Sequence, residues 1–138
     1  MAEGYKVRRH ELVPGIGILV LAPEGADDFI DVLEKKPKQR DRLRLIKLTL
    51  EKLISRGFSA SIRGRQIRIL EGSIGLAEIA IAGKVIRVMC YVHEIESNPT
   101  PVLLFDFDGH QGSDKISKTL MEKGRKLAGV ARLCMEEE

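Results

Sequence analysis

Apolar residues recur along this chain with two different periods, one typical of helices and one typical of strands. Residues 38–56 follow the helical period and are predicted to form an amphipathic helix, which Gly57 would end. The apolar stripe of this helix consists of Leu43, Ile46, Leu50, Leu53 and Ile54. A shorter helix is predicted over residues 25–34, and Pro37 would end or interrupt it.

Between residues 66 and 108 the period changes to two, which predicts strands at 66–70, 74–82, 84–93 and 101–108. Two further short strands, 5–12 and 16–22, are predicted around the turn residues Val13-Pro14-Gly15. A last helix is predicted over 113–136, with Ser113 as its N-cap. This order predicts an α+β fold, a curled and mostly antiparallel sheet of four to six strands with two N-terminal helices and a C-terminal helix. We expect the helices to cover one face of the sheet.

The composition fits one soluble domain over residues 1–138, with 43% hydrophobic and 31% charged residues. Cys90 and Cys134 are too few for a disulfide framework or a four-cysteine zinc site, so both are expected to be reduced core residues. The longest uncharged stretch, residues 12–23, is too short to span a bilayer and lacks the pattern of a signal peptide. We therefore expect a cytoplasmic protein that does not contact membranes.

The placement of basic residues is more informative than the net charge of +3. One basic cluster leads into the long helix and comprises Lys35, Lys36, Lys38, Arg40, Arg42, Arg44 and Lys47. A second cluster, around the predicted strands, comprises Arg63, Arg65, Arg68, Lys84 and Arg87. Such clusters are either solvated surfaces or contacts for a phosphate backbone. Because only 4% of residues are aromatic, base stacking is disfavoured as the main mode of nucleic-acid recognition.

Strand 84–93 is predicted to hold an arginine on the face opposite to the core. One of its faces is wholly apolar and is formed by Ile86, Val88, Cys90 and Val92. Arg87 and Tyr91 therefore belong to the outer or cleft face. A guanidinium held on a strand can bind a phosphate with two hydrogen bonds, and the alternative is a salt bridge to Glu78 on the adjacent strand.

The last predicted strand leads into a turn that contains a histidine. Leu103, Phe105 and Phe107 are expected in the core, while the acidic residues Asp106 and Asp108 project outward. His110 follows between glycines, where its imidazole either reaches a substrate or is simply an exposed loop residue. The acidic ligands of a calcium loop are incomplete here, and the histidines form no helical pair. We therefore expect no metal and no cofactor.

Four short segments carry a family resemblance. They are Ile67-Arg68-Ile69-Leu70, Gly75-Leu76-Ala77-Glu78-Ile79, Ile86-Arg87-Val88-Met89 and Leu103-Leu104-Phe105-Asp106-Phe107. With the order of elements, these segments resemble the RelE/HigB-type toxin superfamily over residues 25–135, most closely its phage-derived HigB-like branch. The resemblance implies the toxin component of a toxin–antitoxin module, a metal-independent mRNA endonuclease that acts on the ribosome and is neutralised by an antitoxin protein.

The resemblance also implies roles for particular residues. Arg87 would stabilise the charge of the reacting phosphate, His110 would act as base or acid, and Tyr91 would orient the substrate. The residues that would bind the RNA backbone are Arg63, Arg65, Arg68, Lys84, Lys38 and Arg42.

This chain departs from the family pattern at three places. Ala80 replaces an arginine, and Gly109-His110 replaces a pair of lysines. Cys90 replaces the aromatic residue of the Arg-Val-x-aromatic motif, and Tyr91 follows one place later, on the opposite face of the strand. Two alternatives to an endoribonuclease therefore stay open. One is a non-catalytic member of the same fold that binds RNA or protein, and the other is a gyrase-inhibiting relative.

Overall fold

The computed structural model describes residues 4–81, 85–109 and 116–137. Six strands form one sheet: β1 (Tyr5–Val13), β2 (Ile16–Pro23), β3 (Ile67–Glu71), β4 (Leu76–Ala80), β5 (Ile86–His93) and β6 (Thr100–Asp108). The helices are α1 (Phe29–Glu34), α2 (Arg40–Arg56), α3 (Phe58–Arg63) and α4 (Lys118–Glu136). Short 3-10 turns cover Pro37–Gln39 and Gly72–Ile74.

The sheet has the strand order β1-β2-β6-β5-β4-β3. All neighbouring strands are antiparallel except β2 and β6, which run parallel and pair at Leu19–Val102 and Val20–Leu103. The predicted α+β class and the mostly antiparallel sheet are therefore confirmed. Every predicted strand is present within the described residues. Among the described helices, none is long and apolar enough to cross a membrane.

Both faces of the sheet are covered, and the prediction that helices cover only one face is wrong. On one face Val88 and Cys90 of β5 pack with the apolar stripe of α2. On the other face Met89 and Tyr91 pack with residues of α4 such as Ala128. The physical reason is that both alternating sets of β5 are largely apolar, so that each set needs a covering layer. Cys90 and Cys134 are buried in these cores and form no disulfide, as expected.

The helical segment before the sheet contains an additional helix, so the prediction of two N-terminal helices is wrong. Gly57 ends α2 with a φ of +95°, and its N–H donates to the carbonyl of Leu53. This backbone angle reverses the chain direction and is readily adopted by glycine. The chain then forms α3, whose Ser61 is fully buried.

Helix α4 begins at Lys118 rather than at residue 113. Its N-cap is Ser117, whose hydroxyl accepts a hydrogen bond from the N–H of Leu120. The predicted N-cap, Ser113, lies outside the described residues. At the closest approach of α4 to the sheet, Gly124 leaves so little room that an added Cβ would lie 3.2 Å from side-chain atoms of Met89.

A β-bulge in β6 changes which of its residues face each core. Met89 pairs with Phe105 and Cys90 pairs with Leu103, so Leu104 is the extra residue on β6. Leu103 therefore packs on the α2 side, while Phe105 lies on the α4 side. The prediction that Leu103, Phe105 and Phe107 share one face is wrong for Leu103, because a strict period of two ignores the bulge.

Candidate nucleic-acid interface

Most of the predicted phosphate-binding residues meet at one end of the sheet. At this end β4 and β6 finish while β3 and β5 begin, because Ala80 pairs with Arg87 and Asp108 pairs with Ile86. We call it the arginine end of the sheet. Its arginines are Arg42, Arg63, Arg65, Arg68 and Arg87. Each of them lies at or next to the start or end of a helix or strand.

Arg87 lies on β5, an interior strand of the sheet. It is the second residue of that strand, is half-buried and lies on the same face as Met89. The backbone of Gly109 passes beside it, since a Cβ added at Gly109 would lie 3.4 Å from Cγ and Nε of Arg87. The N–H of Gly109 donates to the carbonyl of Val85 at 2.5 Å. Gly109 is thus a close neighbour of Arg87, and His110 is the next residue in the chain. His110 itself, like Lys84, lies outside the described residues.

Arg68 is paired with a buried carboxylate. Its Nε and terminal N–H groups donate to Oε1 of Glu78 at 2.8 and 2.6 Å. Glu78 is only 5% exposed, whereas the Arg68 side chain is 30% exposed. Glu78 was the acidic partner considered for Arg87, and the structure gives its carboxylate to Arg68. This pairing stabilises the joint between β3 and β4, and leaves Arg68 less able to bind an RNA phosphate.

Arg42, on the other face of the sheet, is also paired with carboxylates. Its Nε donates to Asp106 at 2.7 Å and a terminal nitrogen donates to Asp108 at 2.6 Å. Burial opposes the charge of Arg42, but the two carboxylates outweigh it, so the pKa of this guanidinium is raised. Asp106 and Asp108 thus fix the start of α2 over the end of β6. Because these two carboxylates balance its charge, Arg42 adds little to the positive surface of the protein.

Three further basic residues are exposed. Arg63 lies in the last turn of α3, and Arg65 follows in a tight turn with a φ of +64°. Lys38 lies in the 3-10 turn that leads into α2. Within residues 4–81, 85–109 and 116–137, none of the three has an ion-pair partner. Their charges are therefore open to solvent and to an anionic ligand.

Tyr91 lies away from the arginine end. It follows Arg87 by four residues along β5, which places the two side chains roughly 13 Å apart. Tyr91 is 5% exposed, and its hydroxyl forms a hydrogen bond with Nδ1 of His93 at 2.9 Å. Burial raises the pKa of the phenol, with a smaller contribution from Glu136. The structure thus places Arg87 beside Gly109, the residue before His110, and it places Arg65 at the same end of the sheet, but Tyr91 lies away from this end.

A second polar cluster, which the sequence did not predict, lies where β1 faces α1. Nδ1 of His10 is 3.3 Å from a carboxylate oxygen of Asp28 and 3.7 Å from one of Asp31. These three residues have metal-ligand chemistry and are close enough to share an ion. Arg8, however, donates to both carboxylates, and Asp28 also caps α1 by accepting from the N–H of Asp31. The carboxylates of Asp28 and Asp31 therefore already accept hydrogen bonds within the protein, and this cluster stabilises the packing of β1 against α1. The N-cap pattern Asp28-x-x-Asp31 was the available signal in the sequence.

The chain matches no protein-family model, no curated protein and no solved structure. The assignment of a function therefore depends on the chemistry of the arginine end.

Proposed function

We propose that this chain binds RNA at the arginine end of its sheet and cleaves it without a metal, as a toxin-like protein of the RelE/HigB type. The observation that carries the proposal is the packing of Arg87 against Gly109, the residue before His110. A half-buried cation thus lies beside the residue that precedes a titratable imidazole in the chain. Arg63 and Arg65 are exposed and lie at the same end of the sheet.

The chemistry is an internal transesterification of the RNA backbone. A base removes the proton of a ribose 2′-hydroxyl, and the 2′-oxygen forms a bond to the adjacent phosphorus. The bond from phosphorus to the 5′-oxygen breaks, and an acid protonates the leaving oxygen, which gives a 2′,3′-cyclic phosphate and a 5′-hydroxyl. Arg87 stabilises the negative charge that develops on the phosphorane, and His110 acts as the base or the acid.

The proposal is tested by expressing the chain in bacteria and by assaying cleavage of mRNA on purified ribosomes. We expect growth arrest and cleavage with the native chain. Arg87→Ala should lower the cleavage rate about 10²–10³-fold, and His110→Ala should lower it about 10²–10⁴-fold. Arg56→Ala is the matched control, because Arg56 is an exposed arginine at the far end of α2 from Arg42. Thermal unfolding of each variant separates lost chemistry from lost folding.

Two outcomes contradict the proposal. The first is that growth arrest persists unchanged in both Arg87→Ala and His110→Ala. The second is that the native chain neither arrests growth nor cleaves RNA. As a toxin it would have a cognate antitoxin, so co-expression of a neighbouring antitoxin gene should restore growth.

A second candidate function is RNA binding without cleavage. The observation in its favour is that Ala80 pairs directly with Arg87 across β4 and β5, at the position where the resemblance calls for another arginine. The cation that would share the phosphate with Arg87 is therefore missing. This alternative predicts that RNA binds with a strong salt dependence and remains intact on the ribosome.

A further inference from the structure

A crevice opens beside β6 where its pairing with β2 stops. The two parallel strands pair only at Leu19–Val102 and Val20–Leu103, although β6 continues to Asp108. Beyond Leu103, no described strand pairs with β6 on this side.

The crevice lies at a change in direction of the chain connections. After β2 the chain passes to α1 and α2 on one face of the sheet, whereas α4, which follows β6, packs on the other face. When neighbouring parallel strands send their connections to opposite faces, a cleft forms outside their carboxyl ends, and ligands commonly bind there. This crevice has a volume of about 400 Å³, which is within the usual range for a small-molecule site.

The walls of the crevice combine rings with positive charge. Six of the lining residues carry the argument: Phe29, Lys36, Arg42, Phe105, Asp106 and Lys123. Arg42 is paired with both Asp106 and Asp108, and because Asp108 also lines the crevice, these three groups together carry a net charge of −1 against the two lysines. Lys36 and Lys123 are exposed at the rim, and the amino group of Lys123 lies 4.3 Å from the centre of the Phe105 ring. An apolar wall with two cations at its mouth is suited to a planar ring that carries an anionic group.

We propose that this crevice binds one nucleotide of an RNA strand, with the base against Phe29 and the edge of Phe105 and the adjoining phosphate at Lys36 and Lys123. The identity of the polymer rests on the proposed function. Phe107 of β6 pairs with Arg87 of β5, and the crevice lies on the opposite edge of β6. An RNA strand that crosses the end of β6 therefore contacts both Arg87 and the crevice. The crevice would hold a base next to the reacting phosphate.

The test measures binding separately from cleavage. The full chain carrying His110→Ala is titrated with a fluorescent single-stranded octaribonucleotide of mixed sequence, over a series of salt concentrations. Lys123→Ala should weaken binding about fivefold and reduce the slope of log K against log salt by about 0.7, the contribution of one phosphate on a single strand. Lys126→Ala is the matched control, because Lys126 is an exposed lysine on α4 that does not line the crevice.

A second pair of variants tests the aromatic wall. Phe29→Leu keeps an apolar side chain but removes the ring, and it should weaken binding about tenfold. Phe58→Leu makes the same change at the start of α3, where the ring packs against the same core outside the crevice, and it should leave binding unchanged. Cross-linking of a 4-thiouridine oligonucleotide should map to the peptides that contain Phe29 or Phe105.

The possible results separate this proposal from the proposed function. If Lys123→Ala and Lys126→Ala bind RNA equally, and Phe29→Leu and Phe58→Leu do so as well, the crevice proposal is overturned even if the native chain cleaves RNA. If the crevice variants bind weakly while the native chain cleaves nothing, the crevice proposal stands without the nuclease. If the chain binds no RNA at all, both proposals fail.

Discussion

Replacing Arg68 by alanine should destabilise the fold, although Arg68 looks like an RNA contact in the sequence. Its guanidinium is the partner of Glu78, which is 5% exposed, and the donor–acceptor distances are 2.8 and 2.6 Å. Arg68→Ala leaves that carboxylate buried without its cation. Breaking a buried ion pair in this way costs about 3–5 kcal/mol of the free energy of unfolding.

We expect a value near the lower end of that range, about 3 kcal/mol, because Arg68 itself is 30% exposed and water can reach the vacated space. Urea denaturation followed by circular dichroism measures the change. The midpoint should fall by about 1.5 M with an unchanged m-value, and the melting temperature should fall by about 12 °C. Arg63→Ala, at an exposed arginine without an ion-pair partner among the described residues, should stay within about 0.5 kcal/mol of the native chain.

The double variant Arg68→Ala/Glu78→Gln completes the test. Without a buried charge, it should regain most of the lost stability and lie only about 1 kcal/mol below the native chain. The reasoning is refuted if Arg68→Ala is as stable as Arg63→Ala, or if the double variant is less stable than Arg68→Ala. Arg68 would in that case be available for RNA after all.

Further predictions concern the backbone and the buried thiol. Gly75→Ala should cost at least about 3 kcal/mol in urea denaturation, because φ is +68° and the new Cβ would lie 2.7 Å from the carbonyl oxygen of Val92. Gly129 lies in α4, and no atom lies within 4 Å of a Cβ added there. Gly129→Ala should therefore stabilise the chain by up to about 1 kcal/mol. Equal effects of Gly75→Ala and Gly129→Ala would contradict this reasoning. Burial, with help from Glu78, raises the pKa of the Cys90 thiol to about 12. In the unfolded chain this thiol has a pKa of about 8.5, whereas the folded thiol stays protonated. The free energy of unfolding should therefore fall by up to about 1.4 kcal/mol per pH unit above about pH 9. Unfolding measured at several pH values should show a smaller slope for Cys90→Ala. A thiol reagent at pH 8 should modify Cys90 only as the chain unfolds, and rapid labelling of the native chain would refute its burial.

The strands and the long helix follow from local patterns in the sequence. Alternation between residues 66 and 108 locates β3 to β6 within a few positions, and the stripe on α2 lies on the buried side as predicted. The burial of both sheet faces could also be predicted in part, because residues 85–92 are apolar apart from Arg87. A nearly continuous apolar strand is typical of burial on both faces. The bulge at Leu104 left no comparable signal.

The candidate site was harder to predict, because it depends on partners that are distant in sequence. Arg42 belongs to a run of basic residues, and nothing in that run shows that its partners are Asp106 and Asp108, more than sixty positions later. Arg87 lies on the face away from the α2 core, as predicted, but this face is covered by α4 and is not the outer face that the alternation suggested. Tyr91 shares that face, and its separation from Arg87 could also be predicted from the sequence, because four residues of strand span roughly 13 Å.

The short parallel joint between β2 and β6 has a consequence for the order of folding. The paired residues Leu19 and Val102 are roughly eighty residues apart, so the joint closes a large loop. The hairpin of β1 and β2 forms from local contacts, whereas its attachment to the sheet has to wait until β6 has been synthesised. We expect the hairpin to detach as one cooperative unit, so its amide protons should exchange faster than those of β5.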